Sequence, residues 1–429
     1  MTSSRGKQHW RATSPADTLL YCHPTHIDPS AKFHEIKPET LKIHKQSDKI
    51  DHAHQVRTGP KDPSTGIYCG PDCINNPQQQ PQEDDHRAHG VSDEYVEGNF
   101  LGLPEPGDRV DVVVLPLPYE LTTSYGQGTA DGPAACLAAS GQVELFDEHL
   151  GADLPAGSSI HTEQAWSGEG PTLRSQLDEL GTHLAPWCSG DVFPLALGGE
   201  HGILPPFIWA LQNHPLIDGD LGRLTVVQID AHADLRSELD GEVYSHACAA
   251  SRSLDLGIGR LLQVGVRAYS KEEAERIEDD DRITTFFAKQ TQSQNTGADA
   301  WQRWLEVLSD LSGPVHLTID IDGLDASLVP ATGTPVPGGL AFWQAVETIE
   351  TVFGAKNATV ISADLNEIAT NDHSPVTEFT AAMLAAKTMA GHLKARAEGR
   401  WSATCEERGK VRTGPACDYF SKTDSPSQP

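Results

Sequence analysis

VHLTIDIDGLD, Val315–Asp325, decides the reading of this chain. An apolar run containing β-branched residues ends in Asp320-Ile321-Asp322, two acids one residue apart. Residues i and i+2 of a strand share a face, so both carboxylates are expected together at the strand's end. The same pattern recurs on either side. VDVVVLPLP begins at Val110, VFPLALGGEH at Val192, LTVVQIDAHAD at Leu224, LLQVGVRAYS at Leu261 and ATVISADLNE at Ala358. Taken as runs without polar alternation, they suit strands buried on both faces of a parallel sheet. Helical candidates follow several of them: SKEEAERIEDD from Ser270, FWQAVETIETVF from Phe342 and EFTAAMLAAKTMAGHLKARAE from Glu378. Strand alternating with helix predicts an α/β fold with a mostly parallel sheet covered by helices.

Around this core lie two segments of different character. Residues 1–100 are polar and rich in histidine, and include NNPQQQPQEDDHRAHG. Little in them can build a core, so an irregular extension is expected there, with the regular domain over 101–398 and an irregular tail over 399–429. Cys69-Gly-Pro-Asp-Cys73 is a single pair without a matching second pair, a weak signal for structural zinc. The remaining cysteines are scattered and suggest no disulfide framework.

The 429 residues carry a formal net charge of -29. Such a polyanion repels nucleic acid and acidic membranes and would attract a cationic small molecule, though the acidity is read mainly as supporting solubility. No stretch approaches the roughly 20 apolar residues of a membrane helix, and the opening residues have no apolar signal core. A cytoplasmic protein with neither a membrane nor a nucleic-acid partner is the expectation.

In covered parallel sheets, ligands bind at the carboxyl ends of strands. Here those ends carry Gly198-Gly199-Glu200-His201, Asp230-Ala231-His232-Ala233-Asp234 and Asp320-Ile321-Asp322. Alone, each has a bland reading as a turn or a solvated strand end. Together they offer six candidate metal ligands: His201, Asp230, His232, Asp234, Asp320 and Asp322. Four carboxylates brought together repel one another unless cations intervene, and two divalent ions would remove the conflict. Oxygen donors with some imidazole suit manganese and also admit nickel, iron, cobalt or zinc. Two such ions sharing a water would make a nucleophile usable near neutral pH, which points to hydrolysis of a poor electrophile.

With these motifs the chain resembles the ureohydrolases, the family of arginases and agmatinases. GGEH resembles the family's Gly-Gly-Asp-His, and Asp230–Asp234 its Asp-Ala-His-x-Asp. TIDIDGLDASLVPATGTPVPGGL resembles its long Ser-x-Asp-x-Asp-x-x-Asp-Pro signature with the Gly-Thr-Gly-Thr-Pro continuation. The likeness runs in order from about Val110 to Leu393. It implies a three-layer α-β-α fold, arginase- and deacetylase-like, with two Mn2+ per subunit or Ni2+ in their place, and a homotrimer or homohexamer. His201 would bind one metal and His232 the other. Asp230 and Asp320 would bridge both, while Asp234 would complete the first site and Asp322 the second. Asp234 would also orient the attacking hydroxide.

Two further residues follow from the same likeness. His246, in VYSHACAAS, would touch the substrate and carry a proton to the leaving amine. Glu367, in SADLNEIAT, would hold the planar guanidinium through paired hydrogen bonds. The segment LPYELTTSYGQGTADGPAACLAASGQVELFD and the histidine setting Tyr-Ser-His-Ala resemble agmatinases rather than arginases. The implied reaction converts agmatine to putrescine and urea. Ala326, Ala331, Ala130-Asp131 and the Ile-Ala-Thr after Glu367 depart from the pattern. Guanidinobutyrate, free guanidine with nickel, and arginine therefore stay open as substrates. A one-zinc deacetylase is disfavoured by the absence of a His-His pair, and a silent regulatory subunit by the intact ligand set.

Overall fold

The computed structural model describes residues 96–401, apart from 108 and 372. Most of the amino-terminal extension, with Cys69 and Cys73, and the tail from 402 lie outside the described residues. Residues next to the expected domain edges pack into the fold. Phe100 is fully buried, and the Asn99 amide donates to Leu103 O at 2.8 Å. Trp401 lies edge-on to His392 with ring centroids 4.7 Å apart.

In chain order the elements are β1 (Val112–Leu117), α1 (Gly132–Ser140), β2 (Phe146–Asp147), β3 (Ala152–Asp153), β4 (Ile160–Thr162), α2 (Leu173–Leu184), β5 (Phe193–Gly198) and α3 (Leu204–Ala210). Then come β6 (Thr225–Ile229), α4 (Ala249–Asp255), β7 (Arg260–Val264), α5 (Lys271–Asp279), β8 (Ile283–Phe286), α6 (Ala288–Thr291) and α7 (Gly297–Ser309). The last are β9 (Ser312–Asp320), α8 (Phe342–Gly354), β10 (Asn357–Asn366) and α9 (Val376–Ala397).

Eight strands form one sheet in the order β4-β1-β5-β10-β9-β6-β7-β8. Every pairing in it is parallel; β2 and β3 form a separate antiparallel pair. Alternate residues of the strands feed opposite cores. Val114, Leu197, Ile229, Leu317 and Leu365 pack in the core that contains residues of α1, α7, α8 and α9. Val113, Ala196, Val226, Leu261 and Ile361 pack in the core with residues of α2, α3 and α4. This is the expected three-layer α-β-α arrangement.

All six expected strands and all three expected helices are present. The structure differs in one respect. The central strands do alternate: Gln228, Gln263, His316, Thr318, Ser362 and Asp364 occur at every second position, all fully buried. They project towards the face of α2–α4, where His316 meets the ring of Phe207 at 5.0 Å. Such groups are tolerated inside only when hydrogen-bonded, since each orphan costs about 1–3 kcal/mol. Here they bond to one another and reach the functional loops. The edge strands β4 and β8 are short, partly polar runs that apolar patterning misses.

Among the described residues no helix is long and apolar enough to cross a membrane.

Candidate metal centre and active-site cavity

Four strands adjacent in the middle of the sheet, β5, β10, β9 and β6, deliver the predicted residues at their carboxyl ends. After β5 the chain turns through Gly199, where a Cβ would lie 2.0 Å from Tyr119 O, so only glycine fits. Glu200 and His201 follow at once. Beyond β6 lie Asp230, His232 and Asp234. β9 ends in Asp320, with Asp322 in the short 3-10 turn behind it, and Glu367 follows β10.

Strand alternation does not align the second motif, contrary to the expectation from its spacing. β6 ends at Ile229, so Asp230–Asp234 form a loop, and Asp234 has a left-handed φ of 53°. Convergence there is the work of the loop and its hydrogen bonds. Glu367 likewise has φ 62°. Non-glycine residues in this region cost about 1–3 kcal/mol and persist where surrounding contacts hold them. The Glu367 contacts are clear: its N–H donates to Gly199 O at 2.7 Å, and its Oε1 accepts from His201 N–H at 2.8 Å.

The structure brings the predicted ligands together in two groups, His201–Asp230–Asp234 and Asp230–His232–Asp322, with the ligand atoms of each within 4.8 Å of one another. Asp230 belongs to both, the arrangement expected of a bridging carboxylate. Asp320 approaches the first group, with Oδ2 3.6 Å from His201 Nδ1, while its Oδ1 accepts from Asp322 N–H at 2.9 Å.

Whether these groups fit a cation is decided at His201. Its Nδ1 lies 3.1 Å from Asp230 Oδ2 and 3.0 Å from Asp234 Oδ2, yet it is buried without a hydrogen-bond partner. Its Nε2 lies 2.8 Å from Thr318 Oγ1, and Thr318 directs its single proton to Asp364 Oδ1 at 2.6 Å. Thr318 therefore accepts from His201 Nε2–H, which turns Nδ1 towards the carboxylate oxygens, a place for either a proton or a cation. Lone pairs converging in a buried place suit a cation. His232 Nδ1 similarly lies 3.1 Å from Asp322 Oδ2 and 3.6 Å from Asp230 Oδ1.

The electrostatics agree. Burial, then Asp322 and Asp230, pushes the Asp320 carboxyl well above its usual range. Burial and Asp230 raise Asp234 to about 7. Burial opposes a charge on His201 and His232, but their carboxylate neighbours outweigh it and raise His232 to about 11, so a bound cation would take the place of a proton on each ring. So much negative charge in the interior calls for positive charge, and divalent cations supply it. The donors are carboxylate oxygen and imidazole nitrogen, with no thiolate, a set that suits divalent cations.

Behind the ligands run two buried relays that the sequence reading missed. Thr285 Oγ1 donates to Gln263 Oε1 at 2.8 Å, Gln263 Nε2 to Gln228 Oε1 at 2.9 Å, and Gln228 Nε2 to Asp230 Oδ2 at 2.7 Å. On the other side, His316 Nε2 lies 2.6 Å from Asp364 Oδ2, and Asp364 leads through Thr318 to His201. Arg267 holds the turn bearing Asp322, donating to the carbonyls of Asp322 at 2.6 Å, Leu324 at 3.0 Å and Gly265 at 3.0 Å. The available signal was the polar residue two positions before Asp230 and before Asp320, namely Gln228 and Thr318.

Above the ligands opens a cavity of about 460 Å³ lined by Asp234, Asp320, Asp322, His246 and Glu367. Tyr125, Arg236, Leu239 and Tyr269 also contribute to its wall. Burial pushes the His246 pKa down to about 4, so its ring is neutral near pH 7. Burial, then the charge on Glu200, raises Glu367 well above the usual carboxylate range. A guanidinium in the cavity would counter that.

A sequence profile of the Arginase family matches residues 110–391. An N(1)-aminopropylagmatine ureohydrolase from Synechocystis sp. is 37% identical over 284 residues, 65% of this chain and 88% of that protein. An agmatinase from Bacillus cereus is 31% identical over 307 residues, 70% of this chain and 99% of that protein. Among solved structures, a protein described as a hypothetical agmatinase from Burkholderia thailandensis superposes with a TM-score of 0.60 at 26% identity, covering 70% of this chain and 91% of that one. The chain belongs to the arginase family. It is a ureohydrolase of the agmatinase type, a hydrolase of guanidino C–N bonds. The family depends on a pair of metal ions, and the two ligand groups sharing Asp230 are suited to a pair.

Proposed function

We propose that this chain hydrolyses the guanidinium of an agmatine-type amine to urea and the free amine, with N(1)-aminopropylagmatine as substrate ahead of agmatine itself. One observation carries the reading: two ligand groups sharing Asp230 lie at a cavity whose wall bears both Glu367 and His246. The preference for the longer amine rests on the Synechocystis relative, and on a cavity whose wall takes in Arg236, Leu239 and Tyr269 besides the ligands. Agmatine, favoured by the sequence motifs, is the second reading and is supported by the Bacillus cereus relative.

His201, Asp230, Asp234 and Asp320 would hold one cation, and His232, Asp230, Asp320 and Asp322 the other. Manganese is the expected metal and nickel the alternative. When bound, the cations lower the pKa of water towards neutrality and so provide the nucleophile. Glu367 has one oxygen fixed by the His201 N–H, which leaves the other for the guanidinium, and it thereby orients the guanidinium carbon. Asp234 accepts a hydrogen bond from the attacking water and aims it. His246 takes up a proton at Nε2 and passes it to the departing amine nitrogen, which would otherwise have to leave as an amide anion. Expected alongside are a homotrimer or homohexamer and a cytoplasmic location.

The test is urea release from aminopropylagmatine, agmatine, guanidinobutyrate, guanidine and arginine, with manganese and nickel supplied separately. The highest kcat/KM should fall on aminopropylagmatine. A preference for guanidinobutyrate, guanidine or arginine would overturn the assignment to an agmatine-type amine.

A further inference from the structure

A buried carboxylate that none of the roles above uses lies beside His246. Glu200 is fully buried and takes three donors from the loop after β1. Leu121 N–H and Thr122 N–H both donate to Oε1, the second at 2.7 Å, and Thr122 Oγ1 donates to Oε2 at 2.9 Å. Glu200 also follows that loop through its backbone, its N–H donating to Tyr119 O at 2.8 Å.

The Thr122 hydroxyl has one proton and two lone pairs. The proton goes to Glu200. Two nitrogens of His246 lie at its oxygen: the backbone N–H donates at 2.9 Å, and ring Nδ1 is 3.2 Å away. With no proton left, Thr122 can only accept from Nδ1–H. Ser245 Oγ stands further off, at 3.4 Å. The ring is thus fixed in one plane and one tautomer, with Nε2 left as the bare nitrogen of a side chain that lines the cavity.

We infer that Thr122, held by Glu200, is the positioning residue for His246, fixing its tautomer so that Nε2 receives and releases the proton. The inference rests on His246 carrying the proton to the leaving amine. It adds a second duty for the loop after β1, whose next residues, Thr123–Gly126, form part of the cavity wall.

The experiment measures kcat, KM and metal content on the metal-loaded full chain for Thr122→Val, Thr122→Ser and His246→Ala. Thr122→Val should lower kcat about 10- to 100-fold, a part of the roughly 100- to 10,000-fold that general acid–base catalysis contributes, while KM and metal content stay near the parent's. Thr122→Ser, which restores the hydroxyl, should recover most of the loss. Equal kcat for the valine and serine variants, whether high or low, overturns the inference, because a packing role does not distinguish them this way. Should the valine variant fail to fold, Thr122→Ala removes the same hydroxyl from a smaller side chain and is read by the same criteria. If His246→Ala collapses turnover while Thr122→Val does not, the positioning inference alone falls. If His246→Ala turns over normally, the role of His246 falls and takes this inference with it.

Discussion

The hydroxyl of Thr318 stands 2.8 Å behind Nε2 of His201, on the side of the ring away from the carboxylates. It holds the ring with Nδ1 turned towards the carboxylates. A histidine ligand loses affinity when the group behind it is removed, typically by about 10- to 100-fold. Thr318→Val should weaken binding of one ion by about that factor, and Thr318→Ser should not. Chelator competition reads both constants. Identical binding by the valine variant and the parent would contradict the relay.

Asp230 is shared by the two ligand groups, whereas Glu367 belongs to neither. The two should therefore separate metal loss from substrate loss. Asp230→Ala should lose both ions and all turnover. Glu367→Ala should keep both ions, with kcat/KM down about 100-fold for the lost charge-assisted contact to the guanidinium. Metal counted per chain beside urea release decides it; a Glu367→Ala protein devoid of metal would move that residue into the ligand set.

His392 concerns stability. It is fully buried, stacks on Phe193 at 4.1 Å, and has neither ring nitrogen hydrogen-bonded. Burial, helped by the charge on Arg396, pushes its pKa down to about 3. The unfolded chain takes up this proton below about pH 6.5, and the folded one does not until about 3. The depressed value therefore costs stability increasingly as pH falls through that window. Between pH 6.5 and 5 the loss is at most about 2 kcal/mol. His392→Phe keeps an aromatic stack and should lose less Tm than the parent between pH 7 and 5. Parallel Tm curves for the two proteins would dismiss the idea.

How much of this was written legibly in the sequence depends on distance along the chain. The central strands declare themselves because Val112–Leu117 and the runs like it are buried from end to end. β4 and β8 do not, since Ile160–Thr162 and Ile283–Phe286 are short and only partly covered. The predicted ligands were readable because acids and histidines are rare at the ends of apolar runs. The groups that orient them were not. Thr122 meets Glu200 across 78 residues and His246 across 124, and no local pattern announces such a meeting. Gln228, Thr318 and Asp364 did leave a trace as polar residues within otherwise apolar strands, and the assumption that those strands lacked alternation hid it.

β10, the last strand among the described residues, lies between β5 and β9 rather than at an edge. The sheet is thus finished from the inside. Until Asn357–Asn366 has been made and inserted, β5 and β9 lack the neighbour that joins them, and His201 has no neighbouring Asp320. Synthesis must therefore run past β10 before His201 can join the ligands carried by β6 and β9, whereas Asp230, His232 and Asp322 follow strands that pair directly with each other.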